Sequence, residues 1–167
     1  MRLKSAVLFF ALSVLFAFPA QAVDLTNRLG VGYSQQLGSV DDLPMITVNY
    51  YPSSTFAISG AVGVDTKDDE SKFGALVKIR KIIFTEKQMN FYMGGLLAAT
   101  NHEEGTPADD KSNMEVAAVL GGEFFFSGLD SLAFFFETGV GVITGDGGSR
   151  FRTIGDHPLT AGMTFYF

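Results

Sequence analysis

Large apolar residues and small or charged residues alternate along most of this chain with a period of two. In residues 132–144, Phe134 and Phe136 occupy one phase, whereas Glu137 and Gly139 occupy the other. Successive side chains of a β-strand point to opposite faces, so this spacing predicts strands rather than helices. The small or charged phase fits a narrow interior, and the large apolar phase then faces outward, which is the reverse of a soluble barrel. The pattern therefore predicts an all-β protein with an apolar outer face.

Turn-rich stretches divide the chain beyond residue 22 into eight segments of this kind. Short turns follow the second, fourth and sixth segments, and longer polar loops follow the first, third, fifth and seventh. This regular alternation is typical of an up-and-down membrane barrel, which has short turns at one end and longer loops at the other. The sequence predicts an eight-stranded antiparallel up-and-down transmembrane β-barrel. Its predicted strands cover residues 28–36, 45–51, 55–65, 72–84, 89–100, 113–126, 132–144 and 158–167.

The first 22 residues have the pattern of a secretory signal peptide. Arg2 and Lys4 precede an uncharged apolar stretch, and Ala20 and Ala22 form an Ala-x-Ala cleavage site. We therefore expect a cleaved signal peptide at 1–22 and a barrel at 23–167. The exported chain would have a net charge of about −8, which argues against nucleic acid as a partner. The sequence contains no cysteine, which excludes disulfides and thiolate metal sites.

Aromatic residues gather at the strand ends that adjoin the short turns. A belt of aromatic side chains is expected where a membrane barrel crosses the lipid–water interface. The sequence therefore predicts an aromatic girdle at the turn end of the barrel. Its predicted members are Tyr50, Tyr51, Phe56, Phe84, Phe91, Tyr92 and the aromatic residues of 124–126, 134–136 and 165–167.

Four charged residues fall on the inward phase of the predicted strands. Lys78 and Arg80 lie on the fourth strand, Glu123 on the sixth and Glu137 on the seventh. An unpaired buried charge costs several kcal/mol, so these side chains are predicted to pair inside the barrel. Two functions fit them: a neutralised plug that fills the interior, or a charge gate whose opening passes small ions. Eight strands leave room for side chains but not for an aqueous channel, so we expect a lumen that is closed or nearly closed.

The last residues carry a further pattern. Thr160, Gly162, Phe165 and Phe167 match the sequence polar-x-Gly-x-x-hydrophobic-x-hydrophobic. This resembles the assembly signal in the closing strand of bacterial outer-membrane β-barrels. With the signal peptide and the eight segments, the chain beyond residue 22 is similar over its whole length to small eight-stranded outer-membrane proteins of the OmpA and OmpX type.

The resemblance implies an integral protein of the outer membrane of a Gram-negative bacterium. It implies outer-membrane lipid and lipopolysaccharide as surroundings, and the β-barrel assembly machinery and periplasmic chaperones as partners during biogenesis. A surface ligand, not identified by the sequence, is a further partner to consider. We expect a structural or surface-interaction role in the cell envelope, with no cofactor, no metal and no nucleic acid.

A lipid A-modifying enzyme and a small gated ion pore are the alternatives. His102 and His157 fall in predicted outer loops beside carboxylates. A Ser/His/acid hydrolase needs a nucleophile within hydrogen-bond reach of its base. Ser112 and Ser149 are loop serines, and the His-x-Ser motif of the barrel deacylases is absent. We therefore expect no enzymatic activity.

Acidic residues cluster in two of the predicted loops, at 65–70 and 102–110. Their carboxylates could bind divalent cations that bridge lipopolysaccharide, because such cations prefer oxygen ligands. The spacing of a twelve-residue calcium loop is absent, so we expect these clusters to be solvated loop faces.

Overall fold

A computed structural model describes residues 23–35, 43–67, 70–104, 111–153 and 160–167. No helix in this part of the chain is long and apolar enough to cross a membrane. The predicted signal peptide lies outside the described residues, so the division at residue 22 stays a prediction. The strands are β1 (Leu29–Gln35), β2 (Pro44–Ser53), β3 (Phe56–Lys67), β4 (Glu70–Glu86), β5 (Met89–Glu104), β6 (Lys111–Phe126), β7 (Leu129–Gly145), β8 (Gly148–Thr153) and β9 (Thr160–Tyr166).

The sheet closes on itself through antiparallel pairing alone. Consecutive strands from β1 to β7 pair with each other, and β9 pairs with both β7 and β1. β8 pairs with the part of β7 that lies beyond β9, so β8 and β9 together occupy one strand position. The predicted all-β, eight-stranded antiparallel closed barrel is therefore confirmed.

The stagger of the barrel follows from the strand register. When the directly paired residue is followed from strand to strand, Gly32 on β1 connects through β2, β3, β4, β5 and β6 to Ile143 on β7. In the other direction around the barrel, Gly32 connects through β9 to Ala133 on β7, which is ten residues from Ile143 on the same strand. Ten residues of stagger over eight strands tilt the strands by about 41° from the barrel axis. This tilt lies within the range of small closed barrels, whose interior is filled by side chains.

Short turns join the strands at the end of the barrel that also holds Phe167, as predicted. Two-residue turns at 54–55, 87–88 and 127–128 connect β2 to β3, β4 to β5 and β6 to β7. In the last of these, Gly128 has φ of +80°, a left-handed conformation that costs glycine little. We call this end the turn end and the opposite end the loop end.

The strands at the loop end extend further than the sequence predicts. β3 and β4 enter the predicted loop 66–71, and β5 and β6 enter the predicted loop 101–112. β8 lies within the predicted loop 145–157, and its pairing with β7 continues the wall. Backbone ladder bonds do not require an apolar face, so the polarity of a segment does not mark where pairing stops.

The turn end is closed by the residues that precede β1. Leu25 is buried in an apolar cluster with Tyr166, Phe125 and others. The amide of Asn27 donates to the carbonyl of Tyr51 at 2.7 Å, which ties this segment to β2. On the outside of the segment, the hydroxyl and amide of Thr26 both donate to the carboxylate of Asp24, and these bonds lower its pKa.

Closure between β9 and its neighbours depends on the absence of a side chain at Gly162. A Cβ atom at this position would lie 2.5 Å from the ring of Phe135 and 2.5 Å from the carbonyl oxygen of Tyr33. Gly162→Val is therefore expected to destabilise the barrel by about 3 kcal/mol, because a backbone carbonyl cannot move aside cheaply. Urea unfolding of the refolded protein, followed by circular dichroism, measures this change.

Gly60→Ala is the control, because the nearest atom to a Cβ at Gly60 is 4.0 Å away. Refolding in vitro measures the packing effect alone, without any effect on the predicted assembly signal in cells. Equal unfolding midpoints for Gly162→Val and Gly60→Ala would contradict the packing explanation.

Candidate functional site

The four charged residues predicted to face the lumen lie together inside the barrel. Lys78, Arg80, Glu123 and Glu137 are each no more than 3% exposed. β4 contributes the two cations, and β6 and β7 contribute the two anions. Because successive residues of a strand point to opposite faces, the two-residue spacing of Lys78 and Arg80 places both cations on the inner face. The charges of these four residues sum to zero, and Glu115 on β6 is a further buried charged residue of the inner face.

Lys78 and Glu137 form the closer of the two ion pairs. The Lys78 Nζ atom lies 2.9 Å from each carboxylate oxygen of Glu137. The hydroxyl of Tyr92 donates to the same carboxylate at 3.0 Å. The Lys78 ammonium also lies 5.7 Å from the ring centroid of Phe135, within the range of a cation–π contact.

Glu123 is held mainly by two tyrosine hydroxyls. Tyr51 Oη and Tyr166 Oη each donate to a different carboxylate oxygen of Glu123 at 2.5 Å. Arg80 Nη1 lies 3.9 Å from Glu123 Oε1, which is an ion pair without a short hydrogen bond. A carboxylate bound by two hydroxyls and a guanidinium has most of its acceptor positions satisfied.

Arg80 connects the two ion pairs to a set of neutral polar groups. Its guanidinium carbon lies 4.9 Å from the ring centroid of Tyr92 and 5.5 Å from that of Tyr51. Its Nη2 atom donates to Asn49 Oδ1 at 3.0 Å. The Asn49 amide nitrogen donates to Thr164 Oγ1 at 3.1 Å, so the network reaches β9. Side chains from β2, β4, β5, β6, β7 and β9 are thus joined in one network.

Three tyrosines of this network were predicted to lie in the aromatic girdle, which is wrong, and Phe125 and Phe135 from the same predicted girdle are also buried. Tyr51, Tyr92 and Tyr166 are buried inside the barrel, each about 1% exposed or less. The alternation along the strands carries the signal for this placement, because Tyr51 shares its phase with Asn49 and Tyr166 shares its phase with Thr164. The alternation of inward and outward residues along each strand therefore predicts that the three tyrosines face the lumen, whereas their closeness to a turn does not.

Apolar side chains separate the charged network from both ends of the barrel. Towards the loop end, Leu43 and Met45 are buried among the small inward residues of neighbouring strands. A Cβ at Gly74 would lie 2.7 Å from Met45 Cε, so these side chains reach across to β4. Towards the turn end, Leu25 and Phe125 belong to the second buried cluster. The network therefore lies between two apolar layers.

The candidate hydrolase residues are not brought together. His102 is 6% exposed and lies on the inner face of β5, not in a loop. Ser112 lies on the outer face and donates to Asn101 at 3.2 Å, so the wall separates it from His102. Ser149 lies on β8, 3.0 Å from the hydroxyl of Thr144. His157 lies outside the described residues.

The acidic clusters are described only in part. Asp65 and Glu103 are exposed at the loop end, and Glu103 accepts a hydrogen bond from Ser71 at 2.9 Å. Residues 68–69 and 105–110 lie outside the described part of the chain. Among the residues that the structure describes, no group of three or more His, Asp or Glu side chains could hold a metal ion.

The four residues of the predicted assembly signal all lie on β9 or directly after it. Thr160 and Gly162 point inward, and Thr160 is buried. Phe165 and Phe167 point outward and are more than half exposed. The carbonyl and amide of Phe167 both bond to Leu29, which continues the pairing with β1 to the last residue.

Comparison with known proteins finds no relative of this chain. No family model, curated protein or solved structure matches it. The resemblance to OmpA and OmpX-type barrels therefore stays a prediction based on the sequence patterns.

The Lys78–Glu137 pair allows a direct test of the buried network. Lys78→Met is expected to destabilise the barrel by about 3 kcal/mol, because it leaves the Glu137 carboxylate buried without its cation. The double variant K78M/E137L is expected to recover most of that loss, since paired removal of buried charges is often close to neutral. Urea unfolding of the four proteins of this double-mutant cycle measures the coupling.

Lys81→Met is the matched control, because Lys81 lies on the same strand but is exposed. We expect it to change stability by less than about 0.5 kcal/mol. A double variant that is as unstable as the sum of its single variants would show that the pair carries no coupling energy.

Proposed function

We propose that this protein is an integral outer-membrane β-barrel with a closed lumen, which serves a structural or surface-interaction role in the cell envelope. The observation that carries the proposal is the chemistry of the two faces. Charged and polar side chains occupy the middle of the interior between two apolar layers, whereas large apolar side chains cover the outside of the barrel. A protein surrounded by water would bury the second set and not the first.

The apolar outer face continues around the barrel. On β4, β5 and β6, Val77, Leu97 and Val116 are 55%, 50% and 62% exposed. Ile46 on β2 and Val142 on β7 carry the same surface to the other strands. Monomeric soluble proteins rarely expose contiguous apolar patches larger than a few hundred Å². A hydrocarbon environment removes the cost of this exposure.

The height of the apolar surface matches a bilayer. Phe73 and Phe84 are exposed on β4, eleven residues apart. At about 3.3 Å per residue and a tilt of about 41°, they are separated by about 27 Å along the barrel axis. Outer-membrane barrels have an apolar band about 25 Å tall, flanked by aromatic residues. Phe126, Phe134 and Phe165 add outward aromatic side chains near the turn end.

The choice of the outer membrane rests on sequence patterns. The predicted signal peptide implies export, and the pattern at Thr160, Gly162, Phe165 and Phe167 resembles the signal read by the β-barrel assembly machinery. In the topology of outer-membrane barrels, short turns face the periplasm and the loop end faces outside. Charged residues at the loop end, including Glu103 and Arg150, would then be exposed on the outer side of the membrane.

A substitution series on the outer face distinguishes a membrane protein from a soluble one. Val77→Arg is expected to destabilise the barrel by about 2–4 kcal/mol in phospholipid vesicles, because its side chain would lie near the bilayer midplane. Thr66→Arg, on the outer face at the loop end, is expected to cost about 1 kcal/mol or less. Unfolding by denaturant in vesicles measures both.

Fractionation and gel mobility complete this test. Closed membrane barrels keep their fold in SDS until heated, so we expect different mobilities for boiled and unboiled samples of the membrane fraction. Equal mobility, together with a Val77→Arg variant that is as stable as Thr66→Arg, would contradict a membrane-spanning function.

Planar-bilayer recording tests the closed lumen against the gated pore. We expect no conductance from the wild-type protein or from Arg80→Ala, because Leu43 and Met45 lie between the charged network and the loop end. Discrete conductance steps that rise in Arg80→Ala would contradict the closed lumen and favour a charge gate.

A further inference from the structure

Building on the membrane-spanning function proposed above, we propose that a groove on the outer face of the barrel binds one acyl chain of lipopolysaccharide. The groove has a volume of about 530 Å³ and crosses the outward faces of β2 to β6. Its floor is formed by Gly60, Ala75 and Ala99. Larger apolar side chains form its sides, namely Ile46, Val48, Val62, Val77, Leu97 and Met114.

The groove runs along the barrel axis, as a lipid chain does. Ala75 pairs with Ala99 on β5 and with Val62 on β3, two residues from Gly60. Because the strands are tilted, moving from one strand to its paired neighbour in the direction from β3 to β5 shifts the position about 3 Å along the barrel axis towards the loop end. Moving one residue along a strand shifts it about 2.5 Å along the same axis. Ala99 therefore lies about 11 Å above Gly60 towards the loop end, with a lateral offset of about 3 Å.

Polar groups lie just beyond the loop-end edge of the groove, at the depth where a lipid chain would join its head group. Asn101 follows Ala99 by two residues on the same face of β5, and its Oδ1 atom accepts a hydrogen bond from Ser112. Gly60, on the groove floor, and Asn101, beyond its loop-end edge, lie about 16 Å apart along the axis, close to the roughly 15 Å depth of one leaflet's hydrocarbon. An ester or amide linkage of the chain would lie beside Asn101 and Ser112.

A second copy of the barrel fits this surface poorly. The groove is lined by 12 residues, fewer than the roughly 20–30 residues that each partner of a stable interface contributes. A twofold contact would also set one concave surface against another and leave a void between them. A single flexible acyl chain fills such a groove without this cost. The loop end faces outside in the proposed topology, so the chain belongs to lipopolysaccharide of the outer leaflet.

Native mass spectrometry of protein purified from membranes tests the proposal. The detergent-solubilised barrel is mixed with Kdo2-lipid A or, separately, with palmitoyl-oleoyl-phosphatidylethanolamine. We expect a one-to-one adduct with Kdo2-lipid A. The variant A75L/A99L, whose side chains fill the floor, is expected to lower its occupancy about tenfold through lost apolar contact.

Ala118→Leu is the matched control, because Ala118 is an exposed outward alanine on β6 that does not line the groove. It should bind Kdo2-lipid A as the wild type does. Ala99→Met narrows the groove at one point and is expected to lower the occupancy of Kdo2-lipid A about threefold. This single variant tests the same surface if A75L/A99L does not fold.

Any of the following results would overturn the proposal: equal adducts for A75L/A99L and Ala118→Leu, an adduct with the phosphatidylethanolamine alone, or a dimer that depends on the groove. Boiled and unboiled gel samples of each protein separate this failure from a failure of the proposed function. A heat-modifiable barrel without a lipid adduct overturns the groove site alone. A wild-type protein with equal mobilities overturns the membrane-spanning function and the groove site with it.

Discussion

Hydrogen bonding of β9 to β1 on one side and to β7 on the other joins the two ends of the sheet. Hydrocarbon offers no partner for backbone amides and carbonyls, so a wall of strands can face lipid only when it is closed in this way. The contact is tight, because Gly162 leaves the space that the ring of Phe135 occupies. Closure at a stagger of ten residues then fixes the width of the interior.

That width explains why the interior is a packed network. An interior of eight strands holds side chains from several walls in mutual contact. Lys78 on β4 therefore reaches Glu137 on β7, and Arg80 reaches Asn49 on β2. Within this network two charges of each sign cancel, and tyrosine hydroxyls donate further hydrogen bonds to both carboxylates. Because apolar layers lie towards both ends, these interactions stay out of water.

The sequence alone predicts the strand number, the two faces and the four buried charges, because each depends on a local period of two. It does not predict the partners of Glu123, since the contacts with Tyr51 and Tyr166 depend on register between distant strands. It also misplaces the loop-end boundaries of the strands, because backbone pairing continues into polar segments such as β8. The groove on the outer face follows from tilt and stagger, which no single segment encodes.

The buried charges also restrict the register of the wall. A slip of β4 by one residue would move Lys78 and Arg80 to the outer face and turn Val77 and Ile79 inward. In the proposed membrane-spanning state, charged side chains on the outer face near the bilayer midplane would cost about 2–4 kcal/mol each, and Glu123 and Glu137 would remain buried without cations. Alternation of apolar residues penalises the same slip, but more weakly, since valine is tolerated on either face. The ion pairs therefore specify which residues of β4 pair with β3 and β5. This register in turn aligns Gly60, Ala75 and Ala99 on the outer face.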